Sequence, residues 1–127
     1  AGFPRVTGVE VSSGAISSAI SAARHAGLSR SAASFIADDA TAWARAQSPE
    51  DVPDVIVVNP PRRGIGADLA TYLNECNTPR VIYSSCNPAS LATDLAAMPS
   101  LRPVEGRLFD MFPHTTHAEV ALLLVRA

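Results

Sequence analysis

Short apolar runs alternate with segments whose apolar positions recur every three or four residues, so the chain reads as strands alternating with helices. Val6 to Val11 is the first strand and ends at the acidic Glu10. Ser12 or Ser13 can cap the helix that follows, with Ile16, Ile20 and Ala23 on one face and Gly27 as its stop. Ala33 to Ala37 is a weaker strand, followed by Asp38, Asp39 and a short helix around Ala42 to Gln47. After a polar, proline-bounded loop from Ser48 to Pro53, the run Val55-Ile56-Val57-Val58 has no polar side, which predicts a central strand buried on both faces.

Gly64 and Gly66 loosen the chain before a helix from Ala67 to Glu75, and Val81-Ile82-Tyr83 is the next buried strand. It runs into Ser84-Ser85-Cys86-Asn87-Pro88. There Asn87 serves as cap and Pro88 as first residue of a helix striped by Leu91, Leu95 and Met98. Val104 to Asp110 and Glu119 to Arg126 have no helix between them and predict an antiparallel closing hairpin. The fold class is therefore α/β, with a mostly parallel sheet and one domain over residues 1–127.

Composition changes this picture little. Hydrophobic residues make up 47% and charged residues 17%, an ordinary globular balance, and the net charge of −2 supplies no broad basic surface. The chain has no Lys, and its ten strongly basic side chains are all Arg. Cys76 and Cys86 come without a second Cys pair or a Cys/His cluster, so neither a disulfide framework nor a metal site is expected. No apolar run approaches the ~20 residues that span a bilayer, and a cytoplasmic location is the expectation.

Ligands of open α/β sheets sit beyond the carboxyl ends of the strands, which singles out Glu10, Asp38 and Asp39, Asn59-Pro60-Pro61-Arg62 and Cys86-Asn87-Pro88. Glu10 suits the hydroxyls of a ribose, or is a solvated acid. Asp39 can take an adenine amino group, or cap the helix after it. The two prolines fix a donor-poor turn that aims Asn59 at a ligand, or merely end a strand rigidly. Arg62 and Arg63 suit phosphate or ribose contacts. Cys86 precedes a capped helix N-terminus, where free amides and the helix dipole favour a thiolate. Cys76 has no such feature and reads as structural.

Together, Asn59-Pro60-Pro61-Arg62-Arg63-Gly64-Ile65-Gly66, Ser84-Ser85-Cys86-Asn87-Pro88 and Phe109-Asp110-Met111-Phe112-Pro113-His114-Thr115-Thr116-His117-Ala118-Glu119 resemble the RNA 5-methyluridine methyltransferases, in the family's order. The Asn that opens the Pro-Pro motif and the Met-Phe-Pro-His-Thr stretch are most similar to the ribosomal RNA branch. The resemblance implies a Rossmann-like domain that uses S-adenosylmethionine, with RNA, either rRNA or tRNA, as partner. It makes Cys86 the nucleophile and Glu119, in His117-Ala118-Glu119, the general base. Glu10, Asp39 and Asn59 become cofactor residues, and Arg62 and Asn87 RNA contacts. His114 and His117 receive no assigned role.

The family's domain opens with a strand and a glycine-rich turn that hold the methionine part of the cofactor, and no such turn precedes Val6. The expectation is a C-terminal part of the catalytic domain, without its first βα unit and inactive alone. Any iron–sulfur cluster or RNA-binding barrel would lie outside these residues. The strand at Val6 would then pair directly with that at Val55, or another copy would fill the gap by self-association. Two other classes stay open: a methyltransferase of amino groups acting through Asn59-Pro60-Pro61, and a non-catalytic nucleotide-binding module.

Overall fold

The computed structural model describes residues 5–110 and 118–127, and its contacts divide the chain into two units, residues 1–46 and 47–127. In the first unit β1 (Val6–Glu10) and β2 (Ala33–Ala37) form a parallel pair, with Val6 beside Ala33 and Glu10 beside Ala37. Between them runs α1 (Ser13–His25), capped by Ser12, whose Oγ accepts from the Ala15 amide at 3.2 Å. It ends where Gly27 turns to φ +79° and the Leu28 amide donates back to the Ala23 carbonyl at 3.0 Å. A two-stranded sheet offers a helix little surface. Of the predicted stripe only Ile16 is buried, and Ile20 stays 39% exposed. The short helix α2 (Ala40–Arg45) starts two residues before the predicted Ala42, because Asp39 caps it: Asp39 Oδ1 accepts from the Ala42 amide at 2.9 Å.

The second unit holds β3 (Val55–Val58), α3 (Ala67–Glu75), β4 (Arg80–Ser85), α4 (Pro88–Ala96), β5 (Leu101–Phe109) and β6 (Glu119–Arg126). Their sheet has the order β3-β4-β6-β5. Only β3 and β4 run parallel; β6 is antiparallel to both β4 and β5. The closing hairpin is therefore present, with β5 starting three residues before the predicted Val104. Among the described residues the parallel pairs are β1–β2 and β3–β4. Pro103 is accommodated because β5 is an edge strand with a register shift between Pro103 and Glu105.

The predicted central place of the Val55 strand needs correction. Among the described residues β3 is hydrogen-bonded to β4 alone, and Val57 is 65% exposed. An all-apolar run marks a strand whose two faces could both be covered, but it carries no information about what covers them or which strands lie beside it.

Alternation along β4 sends Val81, Tyr83 and Ser85 to one buried face, where Val81 and Tyr83 join Ala70 and Leu73 of α3, Leu91, Met98, Leu101 and Leu124 in one core. Arg126, at the end of β6, fastens this core to α3. Its guanidinium donates to the carbonyls of Leu73 (2.9 Å), Asn74 (2.8 Å) and Thr78 (3.1 Å), supplying partners for carbonyls that the helix end leaves open, at the negative pole of its dipole. Arg126→Ala is expected to lower stability by about 2 kcal/mol, since several half-buried acceptors lose a charged donor together. Urea unfolding of the chain measures this, and a loss below about 0.5 kcal/mol would mean that water replaces the guanidinium at little cost. No helix among the described residues is long and apolar enough to cross a membrane.

Candidate active site

The segment after β4 is fixed by a dense set of short-range bonds. Ser85 Oγ accepts from the Asn87 amide at 3.0 Å and donates to the Asn87 carbonyl at 2.9 Å, folding the chain tightly around half-buried Cys86. Asn87 then caps α4, with Oδ1 accepting from the Ala89 amide at 3.1 Å and Pro88 in the first turn. Its Nδ2 donates to the Arg62 carbonyl at 2.9 Å, which ties the Cys86 turn to the loop after β3. Asn87, expected as an RNA contact, thus has both ends of its amide engaged within the protein.

The loop after β3 is anchored from below by a residue that sequence reading passed over. Asp94, only 6% exposed, lies on the same side of α4 as Leu91. Its Oδ2 accepts from the Ile65 amide at 2.9 Å and from the Tyr83 hydroxyl. An acid near a helix C-terminus is unfavourable to the dipole, so these charge-assisted bonds account for its presence there. Burial, and then the hydrogen bond to Asp94, push the Tyr83 phenol well above its ordinary range, and a charge on Cys86 adds to the effect. Tyr83 therefore stays protonated and keeps donating. The one available signal was an acid on an apolar helical stripe.

Asn59, Ser84 and Glu119 meet on the other side of β4. Ser84 Oγ donates to Glu119 Oε1 at 3.1 Å. With its amide nitrogen turned toward these acceptors, Asn59 donates to the same Oε1 at 3.3 Å and to the Ser84 carbonyl at 3.1 Å. The β4–β6 ladder pairs Ser84 with Ala121 and Ser85 with Val120. Cys86 directly follows Ser85, the last residue of β4, and Glu119 directly precedes Val120, the partner of Ser85. A thiol before a helix N-terminus and an anchored carboxylate thus share one end of the sheet, an arrangement suited to nucleophilic addition followed by proton removal.

Arg62 and Arg63 lie exposed in the turn closed by the bond from the Gly64 amide to the Pro61 carbonyl at 2.9 Å. Cys76 has a different setting: its Sγ donates to the Leu73 carbonyl and accepts from Arg126, both at 3.6 Å. Glu10 and Asp39 belong to the first unit. Glu10 is exposed at the carboxyl end of β1, with Oε1 accepting from the Ser12 amide at 3.3 Å, and the Asp38 Oδ1 accepts from the Asp39 amide at 2.8 Å. His114, His117 and the rest of 111–117 lie outside the described residues. Among the described residues no cluster of His, Cys, Asp and Glu could hold a metal.

A family model described as tRNA (uracil-5-)-methyltransferase matches residues 51–127. The 23S rRNA (uracil(747)-C(5))-methyltransferase of Edwardsiella ictaluri is 49% identical over 96% of this chain and 31% of its own length. That of Escherichia coli K12 is 47% identical over 96% of this chain and 32% of its own length. The chain thus spans about a third of the length of these curated relatives. Among solved structures, the Pyrococcus abyssi tRNA (uracil-54, C5)-methyltransferase in complex with S-adenosyl-L-homocysteine superposes with a TM-score of 0.80 at 31% identity, over 95% of this chain and 28% of that one. A Streptococcus pneumoniae putative tRNA (m1A22) methyltransferase, at TM-score 0.70 and 19% identity over 98% of this chain and 54% of that one, shares the fold.

Proposed function

Because the chain belongs to the tRNA (uracil-5-)-methyltransferase family, we propose that it carries the nucleophile and base of an enzyme that methylates carbon 5 of a uridine in RNA, with 23S rRNA as the substrate class of its curated relatives. The observation that supports this reading is the set of bonds from Ser84 and Asn59 to the Glu119 carboxylate, at the end of β4 that Cys86 follows.

Carbon 5 of uracil is a weak nucleophile. Addition of the Cys86 thiolate to carbon 6 turns the ring into an enolate whose carbon 5 can attack a sulfonium methyl group. The turn fixed by Ser85 and Asn87 holds the backbone that carries the sulfur. Glu119 then removes the proton from carbon 5, and the thiolate leaves. The uridine must be unstacked, because a stacked base presents neither face to the thiol and the methyl donor.

S-adenosylmethionine, when bound, supplies the methyl group. Glu10 fits its ribose: it is exposed at a parallel strand's carboxyl end, and only one of its oxygens is held, by Ser12, among the described residues. Asp39 gives Oδ1 to capping, which leaves its second oxygen for an adenine amino group. Arg62, exposed beside the Cys86 turn, is placed for an RNA phosphate.

RNA containing 5-fluorouridine tests the reading, because its carbon 5 has no removable proton. The enzyme that carries these residues is expected to form a denaturation-resistant RNA complex through Cys86, identified by peptide mass spectrometry. A complex through another residue, or methylated RNA with no complex, would overturn it.

A further inference from the structure

We infer that Ser84 is a positioning residue for the base: together with Asn59 it anchors Glu119 through Oε1, so that Oε2 is the oxygen presented to carbon 5. The inference rests on the reading of Cys86 and Glu119 given above and deepens it. A glutamate side chain has three rotatable bonds, and an unanchored one spreads over many rotamers. Here donors from β4 and from the loop after β3 converge on one oxygen, Ser84 Oγ at 3.1 Å and Asn59 Nδ2 at 3.3 Å. Among the described residues none donates to Oε2.

The anchor is itself rigid. Ser84 lies in a strand with neighbours on both sides, paired with Ala121 of β6, and its carbonyl accepts from Asn59 at 3.1 Å. A carboxylate can only accept, so the Ser84 hydroxyl proton has one productive direction. A general base must sit within hydrogen-bond reach of the proton it takes, and fixing Oε1 confines Oε2 to a small arc.

The step affected is the last one. Glu119 Oε2 takes the proton from carbon 5, that C–H electron pair becomes the carbon 5–carbon 6 double bond, and the carbon 6–sulfur bond breaks with its pair returning to Cys86 as thiolate. Neither addition of Cys86 nor methyl transfer uses Glu119. Loss of the anchor therefore slows release of the methylated RNA and leaves the earlier steps unchanged.

Ser84→Val and Ser84→Thr, made in the enzyme that carries these residues, differ in the hydroxyl alone, and a strand accepts both shapes. With S-adenosylmethionine and uridine-containing RNA, the Val variant is expected to turn over about tenfold more slowly and to accumulate covalent RNA adduct on denaturing gels. The Thr variant keeps wild-type turnover, and single-turnover methyl transfer is the same in all three. Equal turnover of the Val and Thr variants, or a slow Val variant without adduct, would overturn the anchoring role. If circular dichroism shows the Val variant unfolded, Ser84→Ala takes its place with the same outcomes. Glu119→Gln is the control, expected to accumulate adduct. If neither it nor wild type on 5-fluorouridine RNA forms one, the reading of the site fails, and the anchor with it.

Discussion

Cys86→Ser is expected to lower methyl transfer by about four orders of magnitude, and Cys76→Ser to leave it within about twofold. The contrast follows from where the two thiols sit. Cys86 stands one residue before the cap of α4, in the turn held by the Ser85–Asn87 bonds, and a thiol is much the better nucleophile toward carbon 6. A serine hydroxyl at the same place is essentially never ionised near neutrality and adds to carbon 6 far more slowly. Cys76 faces the carbonyl of Leu73 and the guanidinium of Arg126 at the end of α3, where a hydroxyl can make similar bonds. Incorporation of labelled methyl groups into RNA by the enzyme that carries these residues measures both. Retention of activity by Cys86→Ser would favour transfer to an amino group through the Asn59-Pro60-Pro61 turn, in which no covalent adduct is needed.

The second large effect concerns stability. Gly64→Ala is expected to cost about 3–5 kcal/mol, whereas Gly66→Ala costs about 1–2 kcal/mol. Both glycines have positive φ, +89° and +85°, so both substitutions strain the backbone. Only at Gly64 does the added Cβ meet another group, Asp94 Oδ2 at 2.5 Å. Asp94 would have to move, and the bonds from the Ile65 amide and the Tyr83 hydroxyl go with it. A buried carboxylate deprived of its donors is a heavier loss than the glycine's own strain. Urea unfolding of the chain decides: equal shifts for the two variants would show that Asp94 yields freely.

Much of this architecture is legible in the sequence wherever the governing interactions are local. The bounds of β2 and α3 follow from turn residues and periodicity, and the Asn87-Pro88 start of α4 from cap chemistry within three residues. Asp39 carried two local meanings, and the structure uses the capping one, which moves the start of α2. What escaped is non-local. The roles of Asp94 and Arg126 depend on contacts across 29 and 52 residues, to Ile65 and Asn74, and no pattern within either segment names its partner. The edge position of β3 was missed for the same reason, since strand order is a property of pairing and not of composition. Glu119 and Cys86 were singled out from motif resemblance, but the bonds of Ser84 and Asn59 to Glu119 join residues far apart in the chain and appear only in the fold.

The strand order also sets a sequence of events during synthesis. β6 lies between β4 and β5, so β5 has no place in the sheet until β6 has been made. A nascent chain that has reached only Phe109 already holds Cys86 and the residues of its turn, but it lacks Glu119 and leaves β4 open along one side. Cys86 is thus translated before Glu119, and the strand that closes the sheet is also the one that brings a carboxylate to Ser84.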